Sequence, residues 1–180
     1  KSVDTSMGLT PLEGIVMGTR SGDIDPAIIF YLTDKHNGDI KAVSNMLNKN
    51  SGLKGVSGVS NDMRDVRSAR DNGNKRAELA LNIFKYRLKK YIASYAAAMG
   101  GVDAIVFTGG IGENVWEVRE DSLKGLEFMG VKINSELNKT IFSKETDISA
   151  ADSKVKVFII PTNEELVIAR DAMVLFENQK

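Results

Sequence analysis

Cysteine is absent from this chain of 180 residues, and histidine occurs only once. The lack of cysteine excludes a disulfide scaffold, a thiolate zinc site and a cysteine nucleophile in this stretch. The single histidine excludes a metal cluster built from several histidines. No apolar run approaches the roughly 20 residues that span a bilayer, so the sequence predicts no membrane-spanning helix.

An excess of either charge is also lacking, since 24 Lys and Arg residues balance 24 Asp and Glu residues. A formal net charge of zero argues against a nucleic-acid partner bound through a basic face. Hydrophobic residues make up 42% of the sequence, which is enough for a packed core and too many for a disordered chain. The length is that of one ordinary globular domain.

The first residues carry neither an initiator methionine nor a signal segment. The chain opens with Lys1-Ser2-Val3-Asp4 and continues through many Gly, Thr and Ser residues to Asp25, which predicts loops around short elements. We expect a piece of a longer protein, with a processed or trimmed complete domain as the alternative.

The local patterns predict an alternation of helices and strands. Apolar residues recur at three- and four-residue steps from Lys75 to Met99, which indicates a long helix ended by two glycines. Asp103–Phe107 is predicted to be a strand buried on both faces, and Val155–Ile160 a second strand followed by a final helix. Ser51–Gly58 is predicted to be a turn-rich connection. This succession predicts an α/β fold.

A glycine-rich loop, Thr108–Asn114, follows the first predicted strand and leads into a helix. Glycines there allow the backbone to approach a ligand closely, and a helix N-terminus suits phosphate or a polar sugar. The loop is not a Walker A motif, because no Lys-Ser or Lys-Thr follows, and Val115 stands where a dinucleotide fingerprint has its third glycine. On spacing alone, a purely structural turn is an equal alternative.

Asp62 and Arg64 stand at the predicted start of a helix. One interpretation is an N-cap aspartate beside a surface arginine. The other is that the two side chains frame a ribose or the edge of a base.

Two further charged positions lie in short connections. Arg20 sits between glycines in Gly18–Gly22, where it either projects into a cleft to meet phosphoryl oxygens or is simply solvated. Glu164 and Glu165 begin the final helix, where they either stabilise the helix dipole or bind magnesium.

Six segments, taken in order along the chain, resemble the acetate kinase family. Each is modest alone, but their order and separations agree from the first residue to Arg170. The segments are Asp4–Gly8, Thr10–Gly14, Met17–Pro26, Ser60–Arg67, Phe107–Asn114 and Ile160–Glu165.

The resemblance implies phosphoryl transfer between ATP and acetate, giving acetyl phosphate and ADP, with Mg²⁺ as cofactor. It implies a ribonuclease H-like domain of the sugar kinase, Hsp70 and actin superfamily, truncated at its N-terminus. Residues 1–180 would be the C-terminal nucleotide-binding part of a two-domain kinase. A homodimer formed through this part and a cytoplasmic location are also implied.

The same resemblance implies roles for individual residues. Arg20 corresponds to the arginine that stabilises the transition state, and Glu164 to the magnesium-site glutamate. The adenosine part of ATP would contact Asp62, Met63 and Arg64. The nucleotide-binding glycine segment would comprise Gly110, Ile111, Gly112, Glu113 and Asn114.

Other parts of the family pattern do not occur in this sequence. They include the N-terminal domain, with its substrate-holding asparagine, arginine, aspartate and histidine, and a His-Leu-Gly-Asn-Gly phosphate loop expected just before Lys1. We therefore expect the parent protein to be an enzyme and the isolated chain to be inactive.

Two alternatives stay open from the sequence. A propionate or butyrate kinase is the first, because the residues that size the acyl pocket are expected mostly outside this chain. The second is a nucleotide-binding module without catalysis, against which the presence of both Arg20 and Glu164 argues.

Overall fold

A computed structural model of the chain describes residues 1–177. The chain divides into two compact units, Lys1–Gly101 and the residues from Val102 onward. The expectation of one domain over residues 1–180 stays a prediction.

The first unit is helical after an extended N-terminal segment without regular structure. Its long helix packs against the two helices that precede it, and Leu81 and Phe84 are among the residues it buries. Asn74 caps this helix by accepting hydrogen bonds from the amides of Arg76 and Ala77. The helices are α1 (Ala27–Lys35), α2 (Ile40–Lys49), α3 (Gly52–Ser57), α4 (Met63–Asp71) and α5 (Lys75–Ala98).

One expectation for this unit is wrong, because Gly52–Ser57 within the predicted turn-rich connection forms helix α3. Two backbone amides at the start of α3, those of Leu53 and Lys54, donate to the carbonyls of Met17 and Gly18. The Leu53 side chain is 1% exposed. These tertiary contacts stabilise a helix whose glycines and serines disfavour it locally.

The second unit alternates strands and helices, which confirms the predicted α/β class. Its three-stranded sheet has the order β1-β3-β2, with β1 parallel to β3 and β2 antiparallel to β3. Ile105 of β1 is paired in register with Val157 of β3. The elements are β1 (Ala104–Phe107), α6 (Gly109–Asn114), α7 (Trp116–Leu123), a short 3₁₀ helix (Glu127–Met129), α8 (Ser135–Thr140), β2 (Thr146–Asp147), β3 (Lys156–Ile159) and α9 (Glu164–Glu177).

Two expectations for the second unit need correction. Strand β1 is not buried on both faces, because Ile105 and Phe107 are buried whereas Val106 is 48% exposed. The glycine segment is not a loop, because Gly109–Asn114 forms helix α6 immediately after the strand. Gly109 has a φ of +70°, a left-handed value that glycine adopts without strain, and this bend turns the chain from strand into helix.

No helix among residues 1–177 is both long and apolar enough to cross a membrane.

Candidate functional site

The loop that carries Arg20 is held by the ends of two helices of the first unit. The amide of Ser51 donates to the Thr19 carbonyl at 2.9 Å, and the amide of Ser21 donates to the Leu47 carbonyl at 3.0 Å. Gly52, with a φ of +61°, lies so close that a Cβ there would be 2.7 Å from the Arg20 carbonyl oxygen. The backbone at Arg20 is therefore fixed, while its side chain keeps partial exposure.

The side chain of Arg20 lines an open depression of about 520 Å³ together with Lys41 and Lys49. Its guanidinium lies 4.0 Å from the Met17 sulfur, and within residues 1–177 no carboxylate pairs with it. Three cationic side chains around one depression favour an anionic ligand. This geometry is compatible with the expected role of Arg20 at phosphoryl oxygens.

Asp62 caps helix α4 and also pairs with Arg64. Its carboxylate accepts a hydrogen bond from the Arg64 amide at 2.8 Å, and the Arg64 Nη2 lies 2.6 Å from the Asp62 Oδ2. The hydrogen bonds from Arg64 lower the pKa of Asp62 to about 2. Arg64 is exposed, whereas Met63 is 5% exposed and lies in the core. Polar side-chain atoms of Asp62 and Arg64 are thus at the surface, whereas the Met63 side chain is not.

Helix α6 contains the glycine segment of the second unit. A Cβ added at Gly110 would meet no atom within 4 Å, so the backbone there is open to a ligand. A Cβ at Gly112 would lie 3.3 Å from the Phe107 backbone, which places Gly112 against the strand. The Asn114 side-chain amide donates to the Gly110 carbonyl at 3.1 Å. Gly110 is therefore an exposed position of the segment with open space beside its backbone.

Glu113 behaves differently from its neighbours, because its side chain points into the protein. It is 7% exposed and accepts hydrogen bonds from the backbone amide and the hydroxyl of Thr162, at 2.9 and 2.8 Å. The Ser143 Oγ lies 3.2 Å away. The Thr162 hydrogen bonds lower the pKa of Glu113 below its ordinary value. Its carboxylate is thus occupied within the protein rather than offered to a ligand.

Glu164 is the first residue of α9 and is exposed. Asn163 precedes it and accepts a hydrogen bond from the Leu166 amide, which caps the helix. Among residues 1–177, no group of three or more His, Cys, Asp or Glu side chains could hold a metal ion by itself. One exposed carboxylate nevertheless fits Mg²⁺, which is often held by one or two carboxylates together with water and substrate phosphates.

The Acetokinase family model matches residues 1–170. The chain belongs to the acetokinase family. It is 64% identical over 178 residues to the acetate kinase of Halothermothrix orenii, covering 99% of the chain and 44% of that protein.

Solved structures of family members agree with the fold. A crystal structure of Porphyromonas gingivalis acetate kinase has a TM-score of 0.90 at 48% identity, covering 95% of this chain and 43% of that one. A propionate kinase from Francisella tularensis has a TM-score of 0.85 at 47% identity, covering 94% and 43%. The chain therefore spans less than half the length of these proteins.

Arg119 is a residue of this acetokinase chain that the sequence analysis missed. Its side chain is fully buried, and it donates hydrogen bonds to the carbonyls of Gly112 and Glu113 at 2.8 and 2.9 Å. It also bonds both the side chain and the carbonyl of Asn138 and the carbonyl of Ile141. Burial lowers the pKa of Arg119 to about 10, which leaves it charged at neutral pH. An arginine among the charged residues of α7 gives no sequence signal of burial.

Asp23 is a second missed residue and anchors the other end of the Arg20 loop. Its carboxylate accepts hydrogen bonds from the Tyr91 hydroxyl at 2.6 Å and from the Gly14 amide at 2.9 Å. Its carbonyl accepts one from Arg87 at 2.9 Å. Burial and the Asp23 hydrogen bond raise the pKa of Tyr91 to about 12. Asp23 and Tyr91 are 68 residues apart in sequence, so no local sequence pattern indicates this contact.

Proposed function

We propose that the full-length protein transfers a phosphoryl group between ATP and acetate, giving acetyl phosphate and ADP. Membership of the acetokinase family, with a match over residues 1–170, carries this proposal. The high identity to a curated acetate kinase supports acetate as the acceptor.

We assign nucleotide binding to two segments. Asp62, Met63 and Arg64 would contact the adenosine part, with Arg64 and Asp62 presenting exposed polar groups. The segment Gly110–Asn114 would contact the nucleotide through its backbone, and the open space at Gly110 supports this role.

Arg20 is the proposed transition-state residue. In the reaction, a carboxylate oxygen of acetate forms a bond to the γ-phosphorus of ATP, while the bond to the β–γ bridging oxygen breaks and ADP leaves. Negative charge spreads over the equatorial oxygens of the transferring group, where a planar guanidinium donates two hydrogen bonds at once. Acetate is already ionised at neutral pH, so this step needs no strong general base.

Glu164 is the residue proposed to hold Mg²⁺. When bound, the ion would neutralise charge on the phosphate oxygens. Glu164 would contribute one carboxylate oxygen from the first turn of α9, where the Asn163 cap fixes the backbone.

The finer fold class, assembly and location are also proposals. We assign the chain to a ribonuclease H-like domain of the sugar kinase, Hsp70 and actin superfamily, which the parallel pair β1–β3 supports. We propose a homodimer formed through this part of the protein, with the exposed Leu79 and Tyr86 of α5 as candidate contacts. Light scattering of the full-length protein tests the dimer, and a monomer at high concentration would contradict it. The cytoplasm, where ATP is regenerated, is the proposed location.

Propionate or butyrate is the alternative acceptor, and the similarity to a propionate kinase favours keeping it. The test is trapping of the acyl phosphate with hydroxylamine, comparing kcat/KM of the full-length protein for acetate, propionate and butyrate. We expect the highest value for acetate. A higher value for a longer acid would support the alternative, and nucleotide binding without any turnover would indicate a binding module.

A further inference from the structure

The carboxylate of Glu113 joins two segments for which different roles are proposed. Glu113 belongs to α6, the glycine segment assigned to the nucleotide, whereas Thr162 lies two residues before Glu164, the residue assigned to Mg²⁺. One oxygen, Oε1, accepts hydrogen bonds from both the Thr162 amide, at 2.9 Å, and the Thr162 hydroxyl, at 2.8 Å. The two segments are 49 residues apart in sequence.

The second carboxylate oxygen of Glu113 faces the segment after α8. The Ser143 hydroxyl lies 3.2 Å from the Glu113 Oε2 and 3.0 Å from the Asn114 Oδ1. With Oε1 accepting two hydrogen bonds, the Ser143 hydroxyl beside Oε2 and 7% exposure, the Glu113 side chain has little freedom to turn toward a ligand. Hydrogen bonds to an ionised carboxylate are stronger than neutral ones, which makes this a firm connection.

Arg119 holds the same segment from its other side. Its guanidinium makes five hydrogen bonds, which equals the number of its N–H donors, and two of them go to the carbonyls of Gly112 and Glu113. The acceptors on the far side belong to Asn138 and Ile141. Asn138 is itself fixed, because its amide donates to the Trp116 carbonyl and the Glu120 carboxylate, both at 3.1 Å.

We propose that Glu113 is a positioning residue. Its carboxylate fixes the segment at Thr162, and with it Glu164, to a glycine segment that Arg119 holds in place. The glycine segment and the proposed metal ligand Glu164 would then be held at a constant separation within the second unit. The inference rests on the proposed function and adds a role for a side chain that does not contact the reacting atoms.

Hydrogen exchange of the full-length protein tests the contact between Glu113 and Thr162 without relying on activity. In the peptide that covers residues 160–164, we expect Glu113→Ala to speed exchange of the Thr162 amide by about tenfold or more, because its charged acceptor is gone. Asp147→Ala is the matched control, since it removes another hydrogen-bonded carboxylate of this unit, one that pairs with Lys156 instead. Unchanged exchange at Thr162 in Glu113→Ala would overturn the proposal.

The Mg²⁺ dependence of the reaction tests the consequence. Partners that orient a metal ligand typically contribute 10- to 100-fold to metal affinity, so we expect Glu113→Ala to raise the half-saturating Mg²⁺ concentration by about tenfold. The KM for acetate should change little. Thr162→Ser keeps the hydroxyl and should have the half-saturating Mg²⁺ concentration of wild type. The value for Thr162→Val should lie between those of wild type and Glu113→Ala. A general loss of activity equal to that of Asp147→Ala, without a shift in Mg²⁺ dependence, would contradict the positioning role.

Two further variants keep the test decisive. If Glu113→Ala fails to fold, Glu113→Gln preserves the shape of the side chain and removes its charge. We expect Glu113→Gln to raise the half-saturating Mg²⁺ concentration as well, but by a smaller factor. In the double variant Glu113→Ala/Thr162→Val, the two effects should not add, because both act on one contact. Inactive wild-type protein would refute the proposed function, whereas active wild type with unshifted variants would refute only this inference.

Discussion

Gly110 is the residue at which the nucleotide site can be tested with the least disturbance to the fold. A methyl group there meets no protein atom within 4 Å, and alanine favours a helix over glycine by about 1 kcal/mol. Gly110→Ala should therefore leave stability unchanged or improved, while ADP affinity falls by about tenfold, or about 1.4 kcal/mol. Calorimetry with ADP and a thermal melt measure the two quantities. Unchanged ADP affinity would place the nucleotide elsewhere.

The role of Arg20 can be tested by a substitution that keeps the positive charge. Arg20→Lys loses the planar fork that matches phosphoryl oxygens, and we expect kcat to fall by about 10³ with little change in nucleotide KM. Steady-state kinetics of the full-length protein measure this. The same change at Arg70, which pairs with Asp71 on α4, is the control and should have little effect. Comparable activity of the two variants would show that Arg20 has no role in the mechanism.

The burial of Arg119 is the residue-scale feature that the sequence could not predict. Charged residues surround it in α7, and such a pattern usually indicates a solvated helix face. Its partners are mostly backbone carbonyls, which have no sequence signature. The motif residues Gly110 and Arg20, in contrast, could be selected from the sequence because the family pattern contains them.

At the scale of elements, a comparison of two helix N-caps distinguishes a structural role of Asp62 from a ligand-binding role. Asp62 caps α4 and Asp39 caps α2, each by accepting a hydrogen bond from an amide of the first turn. Asp62→Ala and Asp39→Ala should lower thermal stability to a similar degree, since each removes one cap. ADP affinity should fall only in Asp62→Ala. A loss confined to stability in both variants would support the purely structural interpretation.

The pKa of Asp62, at about 2, sets the pH range of this contact. A lowered carboxyl pKa means that the contribution to stability is complete above the unfolded value of 3.8 and is lost as pH falls through about 2. The Asp62–Arg64 pair therefore stays intact throughout the neutral range.

The start of α3 positions the Arg20 loop, and substitutions at two glycines test this role. Gly52 and Gly73 both have positive φ, but a Cβ at Gly52 would strike Met17 and Arg20 carbonyl oxygens, whereas one at Gly73 meets nothing within 4 Å. Gly73→Ala should cost about 1–2 kcal/mol of unfolding free energy. Gly52→Ala should cost about 1–3 kcal/mol more and lower kcat by about tenfold to a hundredfold through the displaced loop.

Urea unfolding and steady-state kinetics of the full-length protein measure these effects. Equal stability and equal kcat in the two variants would show that α3 does not position Arg20.

For the whole molecule, activity is expected to need more than this chain. The chain spans 44% of the length of a curated relative, and the resemblance assigns several substrate-holding residues to the remaining part. The 180-residue polypeptide alone should form no acetyl hydroxamate from acetate, ATP and hydroxylamine, whereas the full-length protein should. Circular dichroism of the polypeptide checks that it is folded. Hydroxamate formation above the level of an Arg20→Lys polypeptide would contradict the expectation.

The sequence by itself determined the family, the α/β class, the long helix α5 and the motif residues, because these depend on residue order and on periodicities within one element. The tertiary structure alone decided that Ser51–Gly58 contains a helix, that β1 exposes one face, and that Arg119 and Glu113 are turned inward. The physical reason is that burial and hydrogen-bond partners come from segments distant in sequence. The Glu113 carboxylate finds Thr162 across 49 residues, and no local pattern encodes such a distance.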